Sequence, residues 1–238
     1  MRISIVQPAL PSYRQPLFAR LAELLGKDFA VYSSENHELG ILDTEEPVEE
    51  WAYRLGPIRR VFPGLDWQYG AVNIPVSTGD VLVLSGAPRT LSTLFLLAKG
   101  KLKGAKIIWW GQYWSATSQP WRATIRFTLM RLPDAIMLYT DQEVNEYLSS
   151  QKRGSDSLVT GLNNGIETSS IRKFREPYLA TKRPRDLVFM GRITAKAELG
   201  LVIQALGHTV CSNFTLDVIG DGPEKERLQE QANLLGIS

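Results

Sequence analysis

Short apolar runs alternate with longer amphipathic stretches from the first residue onward. Runs near Arg2–Gln7, Phe29–Ser33, Asp80–Ser85, Lys106–Trp110, Ala135–Tyr139 and Ser157–Thr160 are brief and rich in β-branched or aromatic residues, which predicts strands. Between them, Pro16–Leu25, Thr90–Leu102, Pro120–Arg131 and Asp141–Ser149 space their apolar positions three and four apart, which predicts helices. Strand-helix alternation with near-continuously apolar strands implies a parallel sheet covered on both faces, an α/β fold. Residues 46–75 are less regular. Within them, Tyr53–Leu55 and Arg59–Phe62 are expected to form an added hairpin or a sheet edge.

The pattern changes at Arg172–Asp186, which is basic, contains Pro177 and Pro184, and shows no apolar period. This stretch reads as a connection between domains, after which alternation restarts. Strand Asp186–Met190, helix Leu199–Gly207, strand Phe214–Ile219 and helix Pro223–Leu235 then follow. The expected domains are 1–173, a linker at 174–185, and a partial second domain at 186–238 that looks cut short and leaves apolar surface uncovered.

Composition narrows the class. The 238 residues are 44% hydrophobic and 22% charged, ordinary for a globular protein, with a net charge of +2. The single cysteine, Cys211, can form no internal disulfide, so a reducing compartment is the simplest reading. No stretch approaches the ~20 apolar residues of a membrane span, and the first residues lack the apolar segment of a signal peptide. Lys99, Lys101, Lys103 and Lys106 crowd one segment, with Trp109, Trp110, Trp114, Trp121 and Arg122 close behind. Two readings stand side by side: an anionic membrane surface met by these cations and aromatics, or a solvated lysine face beside a tryptophan-rich core. No nucleic-acid recognition motif accompanies the charge.

Two glycine turns carry the chemistry. The strand ending at Met190 runs into Gly191-Arg192, and the one ending at Ile219 runs into Gly220-Asp221-Gly222-Pro223-Glu224. Each turn is expected to open a helix, whose unpaired N–H groups and positive dipole end favour a phosphate, which points to a nucleotide-type ligand. There is no P-loop, no dinucleotide fingerprint, and no metal-ligand spacing around His37 or His208.

The order of Tyr13-Arg14-x-Pro16-x-Phe18, Trp110-Gly111, Tyr139-Thr140, Asn164-Gly165-Ile166, Gly191-Arg192-Ile193 and Gly220-Asp221-Gly222-Pro223-Glu224 resembles the retaining glycosyltransferases of family 4. The resemblance covers nearly the whole chain but only the first part of the donor domain. It implies a GT-B fold of two Rossmann-like domains, the first for the acceptor and the second, partial here, for a nucleoside diphosphate sugar. It implies transfer of a sugar with retention to a hydroxyl acceptor, with no cofactor or metal, and the basic, aromatic first domain suits an acceptor of lipid-linked or cell-envelope type. The lone cysteine and the lysine-tryptophan cluster together lead to the expectation of a cytoplasmic protein that lies against the inner face of the membrane.

The same resemblance assigns residues. Arg192 becomes the arginine that holds the departing diphosphate, since a guanidinium bonds two phosphate oxygens at once. The family's lysine position falls on Ala197, with Lys196 one residue earlier as the candidate second cation. Gly191, Gly220, Gly222 and Asn164 are expected on the donor side. Where the family often carries a glycine-rich loop against the donor phosphates this chain has Tyr13-Arg14, so Arg14 and Tyr13 are expected to contact the acceptor, with a phosphate the alternative for Arg14. Gln112, standing where many members carry a histidine, is expected to contact the acceptor as well. A glutamine bonds hydroxyls but takes up no proton. The turn Asn163-Asn164-Gly165 has a structural role in its own right, because these residues tolerate positive φ. The other reading is a non-catalytic, truncated binding module.

Overall fold

The computed structural model describes residues 1–34, 49–114, 120–150, 158–163, 165, 167–178, 186–208 and 213–237. Asn164, Cys211 and His37 lie outside them, as do the side chains of Trp121 and Arg122. The chain divides into two compact units, Met1–Glu167 and Thr168–Ser238.

The first unit is built on a seven-stranded sheet of order β3-β2-β1-β6-β7-β8-β9 with every pair parallel. Its strands are β1 (Ile3–Gln7), β2 (Phe29–Ser34), β3 (Ala52–Leu55), β6 (Val81–Ser85), β7 (Lys106–Trp110), β8 (Ala135–Leu138) and β9 (Leu158–Gly161). Helices α1 (Gln15–Leu25), α2 (Leu91–Lys103), α3 (Pro120–Leu129) and α4 (Asp141–Ser150) connect them. Period-2 alternation divides the strands' side chains between two buried faces. Val6, Tyr32, Leu84, Trp109 and Leu138 share one core, while Ile5, Val31, Val83 and Trp110 share the other with Phe18 of α1. Trp109 and Trp110 are thus neighbours in sequence that fill opposite cores.

The irregular region resolves into both of the expected alternatives. β3 is the sheet edge, and β4 (Ile58–Phe62) pairs antiparallel with β5 (Leu65–Gln68) as a separate hairpin. The Trp109 and Trp110 rings are buried, and Trp114 is 53% exposed. Lys99 Nζ donates to the carbonyls of Val72 and Ile74, both at 2.8 Å, and Lys101 and Lys106 flank Asp134 at 2.8 and 3.2 Å. Three of the four clustered lysines are therefore engaged within the fold. No helix among the described residues is long and apolar enough to cross a membrane.

The second unit contains α5 (Ser169–Tyr178), β10 (Leu187–Met190), α6 (Leu199–Leu206), β11 (Leu216–Ile219) and α7 (Lys225–Leu234), with β10 and β11 parallel. α5 corrects the expected irregular connection at Arg172–Asp186, because a helix runs through its first half. Ile171, Phe174 and Tyr178 recur at helical spacing once Ile171 is included, and Arg172 N–H donates to Thr168 O at 2.9 Å. Asp186 and Thr215 clamp the two strand starts together, the Thr215 N–H and hydroxyl both donating to Asp186 Oδ2 at 3.0 Å. Ile193, Leu199, Ile203 and Leu228 form the core, beside a half-open cavity of about 610 Å³ whose lining also includes Thr215, Asp217, Lys225 and Gln229. Val188, Met190 and Ile219 stand 61%, 79% and 56% exposed, so apolar strand surface is uncovered among the described residues.

Candidate functional site

In an open parallel sheet, ligands bind outside the carboxyl ends of the strands where the chain order reverses. In the first unit that point lies at β1, with β2 on one side and β6 on the other. Gln7 pairs with Ser33 in register, and Ser85 with Trp110, so polar and aromatic side chains end four adjacent strands in one row. Gln7, Ser33 and Trp110 are almost fully buried, yet Gln7 Nε2, Ser33 Oγ and Trp110 Nε1 have no hydrogen-bond partner among the described residues. Native interiors pair nearly all such atoms, so their grouping at this edge marks a place where a ligand or water oxygen is wanted.

Arg14 closes over this row. Its Nη1 donates to Gln7 Oε1 at 2.9 Å, and the guanidinium lies 4.6 Å from the Trp110 ring centroid and 5.5 Å from that of Tyr13. Pro16, in the first turn of α1, fixes the start of that helix, with Arg14 on the short 3-10 turn Ser12–Arg14 just before it. The structure therefore brings Arg14 and Tyr13 together, Tyr13 being 57% exposed. On the other side, Gln68 Nε2 donates to Gln7 O and Ser34 Oγ, both at 2.9 Å, which ties the β4–β5 hairpin to the same edge.

Gln112 is exposed on a separate loop, after Gly111. Glu143 holds that loop: its carboxylate accepts the N–H groups of Tyr113, Tyr139 and Thr140 at 3.0, 2.9 and 3.2 Å. Asn163 has φ +53°, as an asparagine tolerates, and exchanges two hydrogen bonds with Asp141 at the start of α4. Sequence reasoning passed over Gln7, Trp110 as a stacking partner, and Glu143. Only Glu143 had a readable signal, the spacing Thr140-x-x-Glu143 of a capping box.

In the second unit Gly191, Arg192 and Lys196 lie on residues 191–198, between the carboxyl end of β10 and α6, with Arg192 and Lys196 both exposed. The expectation that Gly191 opens a helix is corrected here. α6 starts only at Leu199, after a 3-10 turn at Ala195–Ala197 that carries Lys196. α7 does start soon after its glycine turn, at Lys225. The reason for Gly220 and Gly222 is close backbone approach: a Cβ on either would collide with the carbonyl oxygen of Gly191 or Ile193 respectively. The two loops continue the strand ladder, with Gly191 N–H donating to Ile219 O at 3.0 Å and Ile193 N–H to Asp221 O at 2.9 Å. No group of three or more His, Cys, Asp or Glu side chains able to hold a metal comes together among the described residues.

Among solved structures, the OtsA apo structure matches over 99% of this chain and 69% of its own, with a TM-score of 0.53 and 11% identity. The fold is GT-B-like. It combines a Rossmann-like unit on a seven-stranded parallel sheet with a smaller unit of the same strand-helix type. A variant of S. aureus TarM, in complex with fondaparinux, alpha-GlcNAc-glycerol and UDP, matches over 73% of this chain with a TM-score of 0.48 and 9% identity. At that score the second likeness carries no weight. The chain spans 36% of the length of TarM and 69% of that of OtsA. No family model and no curated protein matches the sequence.

Proposed function

We propose that this chain works in the transfer of a sugar from a nucleoside diphosphate sugar to a hydroxyl acceptor, with retention, as in the family 4 glycosyltransferases it resembles. The first domain, at 1–173, takes the acceptor. The second, at 186–238, takes the donor, and the acceptor is a lipid-linked or cell-envelope glycan. The observation that carries this reading is the position of Arg192 and Lys196 on one connection at the carboxyl end of the parallel pair β10–β11. As the glycosidic bond breaks, negative charge grows on the leaving diphosphate, and fixed cations there favour the transition state over the ground state. Arg192 supplies a bidentate fork and Lys196 a point charge. In the first unit, Arg14 and Tyr13 contact the acceptor and Gln112 bonds a sugar hydroxyl.

Transfer and donor hydrolysis measured with UDP-, GDP- and ADP-sugars test the reading. Arg192→Ala is expected to lower kcat by about a hundredfold or more, the scale of losing one group aimed at developing charge. Arg14→Ala is expected to raise the acceptor KM with kcat less affected. Unchanged turnover in Arg192→Ala removes the mechanism.

Ala197 at the family's lysine position and Gln112 at its histidine position favour a second reading, a binding module without turnover. Calorimetric binding of a nucleoside diphosphate, with no sugar released from any donor, would distinguish it.

A further inference from the structure

The β4–β5 hairpin stands outside the main sheet and is joined to the rest of the unit along β5 as far as Asp66, whose N–H donates to Arg89 O at 2.9 Å. Gln68 bonds the ends of β1 and β2, and the Trp67 ring meets Phe95 of α2 at 6.0 Å. Toward the Pro63-Gly64 turn the anchoring stops. Arg59–Gly64 are exposed without interruption, Phe62 to 62% and Val61 to 38%. The strand pairing slips here: Arg60 opposes Asp66 and Phe62 opposes Leu65, so Val61 is an extra residue that the partner strand does not match. Such a bulge bends a strand and re-aims its side chains, and two adjacent apolar side chains are left in water at this tip.

Cations surround them. Arg60 and Arg89, 68% and 67% exposed, share the single carboxylate of Asp66 at 3.4 and 3.8 Å, and Arg59 is exposed beside them. Three guanidinium groups against one carboxylate leave the tip positively charged. Glu49 and Glu50 precede the amino end of β3, the end of that strand away from its connection to β4.

We infer that this hairpin docks on an anionic lipid surface, with Phe62 and Val61 entering the headgroup boundary while Arg59, Arg60 and Arg89 meet lipid phosphates. A protein partner fits the tip less well, because a stable protein interface takes about 800 Å² from each side, far more than two side chains present. Apolar side chains flanked by arginine suit the boundary of an anionic bilayer, which combines shallow apolar burial with a negative surface potential. The tip serves this better than the lysine cluster of α2, where Lys99 and Lys101 are held by internal carbonyls and Asp134. The hairpin also belongs to the carboxyl edge that carries Arg14, so a lipid-linked ligand would lie close to that row. The inference goes beyond the sugar-transfer reading and stands without it, since lipid binding is measured without turnover.

Co-sedimentation of the whole protein with phosphatidylcholine vesicles, with and without phosphatidylglycerol, tests it. The protein is expected to sediment with the anionic vesicles and not with phosphatidylcholine alone. Phe62→Ser, and Arg59→Glu with Arg60→Glu, are each expected to lower the apparent lipid affinity about tenfold or more. Lys103→Ala is expected to leave it unchanged. Thermal melts by circular dichroism confirm that these exposed substitutions leave the fold intact. Absence of binding by the unaltered protein, equal binding to both vesicle types, or folded hairpin variants that sediment like the parent would each overturn the inference.

Discussion

The backbone N–H of Tyr113, in the loop after β7, donates to Glu143 Oε1 on α4 over 3.0 Å. Oε2 of the same carboxylate accepts from Tyr139 and Thr140, while Thr140 Oγ1 accepts the Glu143 N–H at 3.1 Å. One side chain thus completes a capping box and pins a neighbouring strand's loop, the loop that presents Gln112.

Glu143→Ala is expected to cost about 1–2 kcal/mol, as lost caps and orphaned donors do. It is also expected to speed amide exchange at Tyr113. Thr140→Ala removes the cap alone, so it should cost about 1 kcal/mol with Tyr113 still protected. Hydrogen exchange read residue by residue separates the two, and equal exchange at Tyr113 in both variants would show that Glu143 does not hold the loop.

Gly220→Ala and Gly222→Ala are expected to destabilise the second unit by about 1–3 kcal/mol or more, because each new methyl meets a backbone carbonyl that cannot swing aside. Gly191→Ala meets only the Phe189 ring edge, at 3.9 Å, and should be milder. All six tryptophans precede Thr168, so their emission reports the first unit and should not change. Loss of amide protection in β10 and β11 with unaltered tryptophan emission is the expected signature.

Asp134 supplies a pH dependence. Burial alone would raise its pKa, but hydrogen bonds from Lys101 Nζ, the Ile107 N–H and Lys106 Nζ outweigh burial and hold it down at about 2. The folded value lies below the unfolded one of about 3.9, so the stability it contributes is complete above that pH and is lost as pH falls toward 2. The site is partly open to water, which limits the contribution to about 1 kcal/mol or less. Asp134→Asn should flatten the stability curve between pH ~4 and ~2 in urea titrations. An unchanged slope there would show that the three donors do not hold the carboxylate charged.

β1, β2, β6, β7 and β8 were legible because each is a short, mostly apolar run with its residues largely buried; Lys106–Trp110 is observed with the bounds its sequence predicts. α5 was missed because a window opening at Arg172 leaves out Ile171, and one apolar position decides a short period. Arg14 and Arg192 were singled out from their place beside proline or glycine turns, and the structure sets Arg14 over Trp110 and Arg192 exposed after β10. Gln7 was placed at the end of the first strand but not in the site, since only its pairing with Ser33 and the packing of Arg14 show that its side chain is buried.

By itself the sequence determined the alternation of strand and helix, the parallel sheet it requires, and the glycines at the strand ends, because local periodicity and backbone sterics act over a few residues. Tertiary structure alone decided which polar groups meet. Arg14 over Trp110, Glu143 under Tyr113, and the Gly220 backbone against Gly191 join residues from 29 to 96 positions apart. No local pattern specifies such contacts. They arise when buried strands come into register and each polar group displaced from water must find a partner.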